Sequence, residues 1–169
     1  MLFPTIKTAV RMSLFALSML FLSLSSAYAD ENKIPAELNS PFAQGEPNTR
    51  YAQYFIGNSY LNRLSSEGVS IANVTFEPAC RNNWHIHHAT KGGGQILLCT
   101  AGRGWYQEWD KPARELKTGD VVIIPVGTKH WHGAAKDSWF VHLSVEVPGE
   151  NNSNEWLEPV TDEEYNKLP

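Results

Sequence analysis

The chain has 169 residues and a formal net charge of −4, with 42% hydrophobic and 19% charged residues, 12 glycines and 10 prolines. That length holds one compact domain, and this balance excludes the coiled-coil, collagen-like and disordered classes. With 18 acids against 14 bases and no basic patch, a nucleic-acid partner is excluded as well, since phosphate binding needs clustered Lys and Arg.

Residues 1–29 begin with Lys7 and Arg11, continue as an uncharged apolar stretch from Met12, and end in Ala27-Tyr28-Ala29. A basic start, an apolar middle and a small-residue cleavage site read as a secretory signal peptide. The strongly apolar part is shorter than the ~20 residues that span a bilayer, so the reading is a cleaved leader with no stable membrane insertion afterwards. Cleavage takes the net charge from −4 to −6 and places the protein in the periplasm or outside the cell. There, Cys80 and Cys99 can pair or stay as two inert thiols; neither belongs to a CxxC zinc motif.

Residues 30–50 are polar and carry Pro35, Pro41 and Pro47, which reads as an irregular lead-in that can lie across the domain. Strand character follows in seven runs: Tyr51–Ile56, Ser70–Phe76, Asn83–His87, Gln95–Thr100, Gly104–Trp109, Val121–Ile124 and Ser138–Val147. Turn signals separate them, among them Glu67-Gly68, Pro78, Gly92-Gly93-Gly94, Gly102, Gly119-Asp120 and Pro125 with Gly127. Short strands at this spacing, with no amphipathic helix between them, predict an all-β antiparallel sandwich or barrel over 51–148. In the tail, 149–169, Thr161-Asp162-Glu163-Glu164 has the form of a helix N-terminus with acids in its first turn, which predicts one short C-terminal helix.

All six histidines fall between residues 85 and 142. On a strand, side chains alternate faces, so His85 and His87 point the same way and His88 the other. Two imidazoles on one face make half a metal site. The chain turns through glycines and returns with Gln95, whose amide oxygen can sit beside them across the hairpin. After the turn at Pro125 and Gly127, His130 supplies a third imidazole. Three His and one oxygen donor suit Mn, Fe, Co, Ni or Zn, with open positions for water or substrate. Trp105, Trp109, Trp131 and Trp139 read as packing, His88 as a bystander, and Lys91–Gly94 lacks the helix and Lys-Ser/Thr of a phosphate loop.

These residues resemble the paired motifs of the cupin superfamily. Gln95 is followed after six residues by Gly102, and Gly119–His130 fits G-x5-P-x-G-x2-H. The resemblance implies a cupin double-stranded β-helix, a jelly-roll barrel, with the metal inside. Two departures stand out: the gap after His87 is seven residues long, which should alter the pocket rim, and Gln95 replaces the usual Glu. Val74–Pro78, Trp84–His87, Lys129–Ala134, His142-Leu143 and Trp156–Asp162 further resemble the small cupins that include manganese-dependent hydroxynitrile lyases and carboxymuconolactone-decarboxylase-like proteins.

That resemblance implies metal ligands at His85, His87, Gln95 and His130, with manganese foremost. It implies a proton-handling role for His132, aided by His142, and pocket positions at Ala72, Val74 and Glu146. The activity implied is a lyase reaction on a small hydroxyl- or carbonyl-bearing molecule, such as cleavage of an α-hydroxynitrile. The alternatives are a non-catalytic cupin that binds a small ligand, and an iron-dependent dioxygenase. Cupins of this size often pair through a sheet face, so a homo-oligomer is expected, with Val141, Leu143 and Val145 as the outward contact.

Overall fold

The computed structural model describes residues 33–169, so the leader at 1–29 lies outside the described residues. The first strands are β1 (Glu46–Pro47), β2 (Phe55–Ile56), β3 (Ser59–Ser65), β4 (Ser70–Phe76), β5 (Arg81–Asn82), β6 (His85–His88) and β7 (Lys91–Gly92). Next come β8 (Gln95–Glu108), β9 (Arg114–Lys117), β10 (Val121–Ile124), β11 (His130–Ala134), β12 (Phe140–Glu146), β13 (Gly149–Glu150) and β14 (Ser153–Trp156). Helix α1 (Asp162–Asn166) follows. The all-β expectation holds, and every pairing among the described strands is antiparallel.

Strand β8 organises the barrel because it belongs to both sheets. Its first part pairs with β12 and β10 in a sheet that continues through β4 and β3, and its second part pairs with β11 and β9. Beyond β11 lie β5 and β6, and β14 flanks β6. The crossing needs glycine. Gly102 has φ +71°, and a Cβ there would lie 1.8 Å from the Trp139 carbonyl oxygen, so Gly102 bends a continuous strand where the sequence predicts a turn between two.

The sequence reading differs from the structure in several elements. Tyr51–Ile56 is mostly a turn, with Ala52–Tyr54 as a 3-10 helix and only Phe55–Ile56 extended, because Tyr54 N–H donates to the Tyr51 carbonyl at 2.8 Å. Strands β3, β9, β11 and β14 were not among the seven predicted runs. In β3, Asn62 and its neighbour Asn73 on β4 donate to the Ala43 carbonyl at 3.3 and 3.0 Å. The lead-in therefore does lie across the first sheet, and its backbone satisfies polar side chains that would otherwise argue against a strand. Val141 is fully buried, which removes it from the outward face assigned to it; Leu143 and Val145 are half-buried.

The core between the sheets holds Val74, Phe76, Leu97, Leu116, Ile124 and Phe140. A second cluster, Trp84, Trp105, Trp131, Val160 and Tyr165, packs the C-terminal segment against the other sheet. Trp105, Trp131 and Trp139 are buried as filler, whereas Trp109 is 44% exposed beneath the Lys129 ammonium. Cys80 and Cys99 are both free and buried; burial pushes both thiols up, Cys99 to about 12, so they are inert as nucleophiles. Helix α1 forms as the sequence predicts, and Thr161 caps it through a reciprocal box with Glu164.

Candidate metal centre

The strand parity of β6 places His85 and His87 inward, both buried, and leaves His88 exposed in an ion pair with Glu155 at 2.7 Å. Strand β11 brings His130 opposite His85 in register. The two histidine segments are also tied by backbone: Gly127, with φ +79°, donates its N–H to the His87 carbonyl at 2.9 Å. As a result, one nitrogen from each of His85, His87 and His130 lies within 4.8 Å of the others.

The tautomers suit a metal. His85 Nδ1 lies 2.9 Å from the Asn83 carbonyl and His130 Nδ1 lies 2.9 Å from the Thr128 carbonyl. A carbonyl can only accept, so each Nδ1 carries the proton and each Nε2 is left with a bare lone pair. His130 Nε2, both ring nitrogens of His87 and Gln95 Oε1 are buried with no hydrogen bond of normal geometry. Buried polar atoms without partners are costly unless a ligand satisfies them. Burial lowers the pKa of all three imidazoles, that of His130 to about 4 and that of His85 well below its ordinary value; at His87 the Glu146 carboxylate partly opposes the shift. Neutral imidazoles are the form that binds cations. The residues present thus fit a divalent ion held by three His and one amide oxygen.

Beside this cluster stand two further buried imidazoles. The His132 ring centroid is 5.4 Å from that of His85 and 4.8 Å from that of His142. Asn82 holds His132 at both ends: its Oδ1 accepts from the His132 backbone N–H at 3.0 Å, and its Nδ2 lies 3.1 Å from the ring Nε2. The same Nδ2 lies 3.3 Å from the ring Nδ1, and burial lowers the pKa of His132 well below its ordinary value, which leaves the imidazole neutral. His142 is fully buried, neither ring nitrogen has a partner of normal geometry, and burial lowers its pKa to about 4.

An open cavity of about 130 Å³ reaches this centre between the sheets. Its wall contains the anticipated Ala72, Val74, Gln95, His132, His142 and Glu146, with His85 and His87 at its base. Also on the wall, and absent from the sequence reading, are Asn82, Ser144, Arg63, Asn154 and Trp156. Only Ser144 had a signal, since it shares a strand face with His142 and Glu146. Trp156 shields one side of the centre, 4.8 Å from the His85 ring and stacked on Tyr54. The seven-residue gap after His87 forms its own ribbon, in which β7 pairs with β13, and none of its residues lines the cavity.

No family model matches the sequence. The (R)-mandelonitrile lyase of Granulicella tundricola is 42% identical over 99 residues, which are 59% of this chain and 72% of that protein. A crystal structure of a cupin-like protein from Thermotoga maritima is 40% identical, spans 75% of this chain and 95% of that one, and superimposes with a TM-score of 0.66. A cupin 2 conserved barrel domain protein from Rhodopseudomonas palustris, 16% identical over 73% of this chain and 81% of that one, shares the fold with a TM-score of 0.54.

Proposed function

The chain belongs to the cupin superfamily, and from that premise we propose that it is a secreted or periplasmic lyase that depends on a divalent metal, manganese foremost. Its substrate is a small hydroxyl- or carbonyl-bearing molecule, and the specific reaction is the reversible cleavage of an α-hydroxynitrile to a carbonyl compound and cyanide. The observation that carries the reading is the pairing of a three-histidine cluster with two more buried, neutral histidines, His132 and His142, on the same cavity wall. A site that only captured a ligand would have no need of them. The resemblance to a protein named (R)-mandelonitrile lyase supports the choice of reaction.

A divalent ion held by His85, His87, Gln95 and His130 would supply Lewis acidity toward a substrate oxygen. Gln95 is neutral, so the ligand set cancels none of the ion's charge. His132, neutral and anchored by Asn82, takes or returns the hydroxyl proton. His142 packs edge-on against it, with ring centroids 4.8 Å apart, and helps to keep it neutral between turnovers. Val74, Ala72 and Leu61 give the substrate's body an apolar wall, and Trp156 and Phe55 offer ring faces. A homo-oligomer through the outer sheet face near Leu143 and Val145 completes the proposal.

Elemental analysis of the purified chain and of its His85→Ala form, together with cyanide release from an aromatic hydroxynitrile, tests this reading. One divalent ion per chain is expected, lost in His85→Ala, with turnover reduced 10²-fold or more in His132→Ala, as for loss of a general acid–base group. Equal metal content in the two proteins, or full turnover without His132, overturns it.

A further inference from the structure

Strand β12 presents three side chains to the cavity: His142, Ser144 and Glu146. The proposed chemistry uses only the first. Gln95 Nε2 donates to Ser144 Oγ at 2.9 Å, while Gln95 Oε1 is buried without a partner. An amide has one donating and one accepting end, so committing the NH2 to Ser144 turns the carbonyl oxygen away from β12. Gln95 and His87 line the same cavity, and that oxygen is the end of the amide left free for it. Glu146 is directly opposite Gln95 in register, and its Oε2 is 3.8 Å from His87 Nδ1. It stands beside a ligand set that carries no charge of its own.

We infer that Ser144 and Glu146 are positioning residues that set how tightly the centre holds a divalent ion, Ser144 by fixing the Gln95 amide with its oxygen inward and Glu146 by placing a negative charge behind His87. This rests on the metal reading above. The two act by different means. Without Ser144 either end of the Gln95 amide can face the histidines, so a ligand is lost for part of the time. Without the Glu146 charge all ligands stay, but the cation loses its outer counter-charge. Glu146, anticipated as a pocket residue, therefore acts on the metal as well as lining the cavity.

The test is competitive titration of the full mature chain with Mn²⁺ and Co²⁺, together with the visible absorption of the Co²⁺-loaded protein. Ser144→Ala and Glu146→Gln should each weaken ion binding by roughly 10- to 100-fold, the range typical of groups that orient ligands. The Co²⁺ bands should change in Ser144→Ala, where a ligand is released, and stay unchanged in Glu146→Gln. Ser144→Thr keeps the hydroxyl and should bind like the natural chain, whereas the isosteric Ser144→Val should not; that pair decides the matter even where Ser144→Ala folds poorly. Undiminished binding with unchanged bands in both Ser144→Ala and Ser144→Val overturns the role of Ser144, and undiminished binding in Glu146→Gln overturns that of Glu146. If the natural chain binds neither ion, the metal reading itself fails, and this inference falls with it.

Discussion

Two regions of the barrel bury ionisable side chains, and they treat them in opposite ways. Behind the second sheet, Arg81 is 3% exposed and its donors are matched: Nε and Nη2 bond the Val160 carbonyl at 3.1 and 3.0 Å, Nη2 pairs with Asp162 at 2.5 Å, and the guanidinium lies 4.4 Å from the Tyr165 ring centroid. In the histidine cluster and along its cavity, five imidazoles and an amide are equally buried, yet His87, His130, His142 and Gln95 keep polar atoms with no partner. Satisfied burial of a charge fixes the C-terminal segment in place. Among the described residues, six of the eight buried side-chain atoms without a partner belong to His87, Gln95, His130 and His142, where something from outside can complete the bonding, and this contrast separates stability from function here more cleanly than burial alone.

Acid should break the contrast first and by most. His130 and His142 have folded-state values lowered to about 4, against an unfolded value near 6.5. Between these limits the unfolded chain binds protons that the folded chain refuses, so stability falls as pH drops below about 6.5 and the loss levels off below about 4. Each imidazole contributes a loss on the order of 3 kcal/mol. Urea unfolding of the metal-free chain at pH 7.5, 5.5 and 4 checks this; a midpoint that does not move between pH 7.5 and 4 shows that the two imidazoles titrate normally.

The matched region should yield less. Arg81→Met keeps part of the aliphatic packing but strips the Val160 carbonyl of its donors and ends the contact with Asp162. Asp162 is itself 82% exposed, so water takes over that end of the pair and the cost stays at about 2 kcal/mol. Thermal unfolding measures it. The comparison is sharpened by the second readout: metal content should be unchanged in Arg81→Met, because no atom of that cluster reaches the cavity wall.

The parts legible in the sequence are those set by local spacing. Strand parity in His85-Ile86-His87 and the turn chemistry of Pro125 and Gly127 place three imidazoles without knowledge of any distant contact. Ser70–Phe76 and Val121–Ile124 were readable to the residue, because Val121–Ile124 is wholly β-branched and Ser70–Phe76 carries Ile71, Val74, Thr75 and Phe76 between clear turn signals. Strand β3 was not, since Ser59, Asn62, Arg63 and Ser65 look like loop until the lead-in is laid over them. Asn82 and Ser144 were not legible as functional positions for a related reason. Asn82 matters only because β5 pairs with β11 beside His132, and Ser144 only because register sets β12 beside the start of β8. No spacing within either segment records those pairings.

The smallest expected effect lies within the matched region. Thr161 caps α1, accepting from the Glu164 backbone at 3.1 Å while the Glu164 carboxylate accepts from the Thr161 backbone at 3.0 Å. Both groups are on the exposed side of the C-terminal segment, so Thr161→Ala should cost about 1 kcal/mol, the usual worth of a cap. Because Val160 and Asp162 flank the cap and bond Arg81, loosening it should add little in a chain that already carries Arg81→Met. A double-mutant cycle by thermal unfolding reads this directly. A combined loss equal to the sum of the two would mean that cap and guanidinium hold the tail independently, whereas a smaller loss makes the C-terminal turn and the buried arginine one cooperative unit behind the metal-facing sheet.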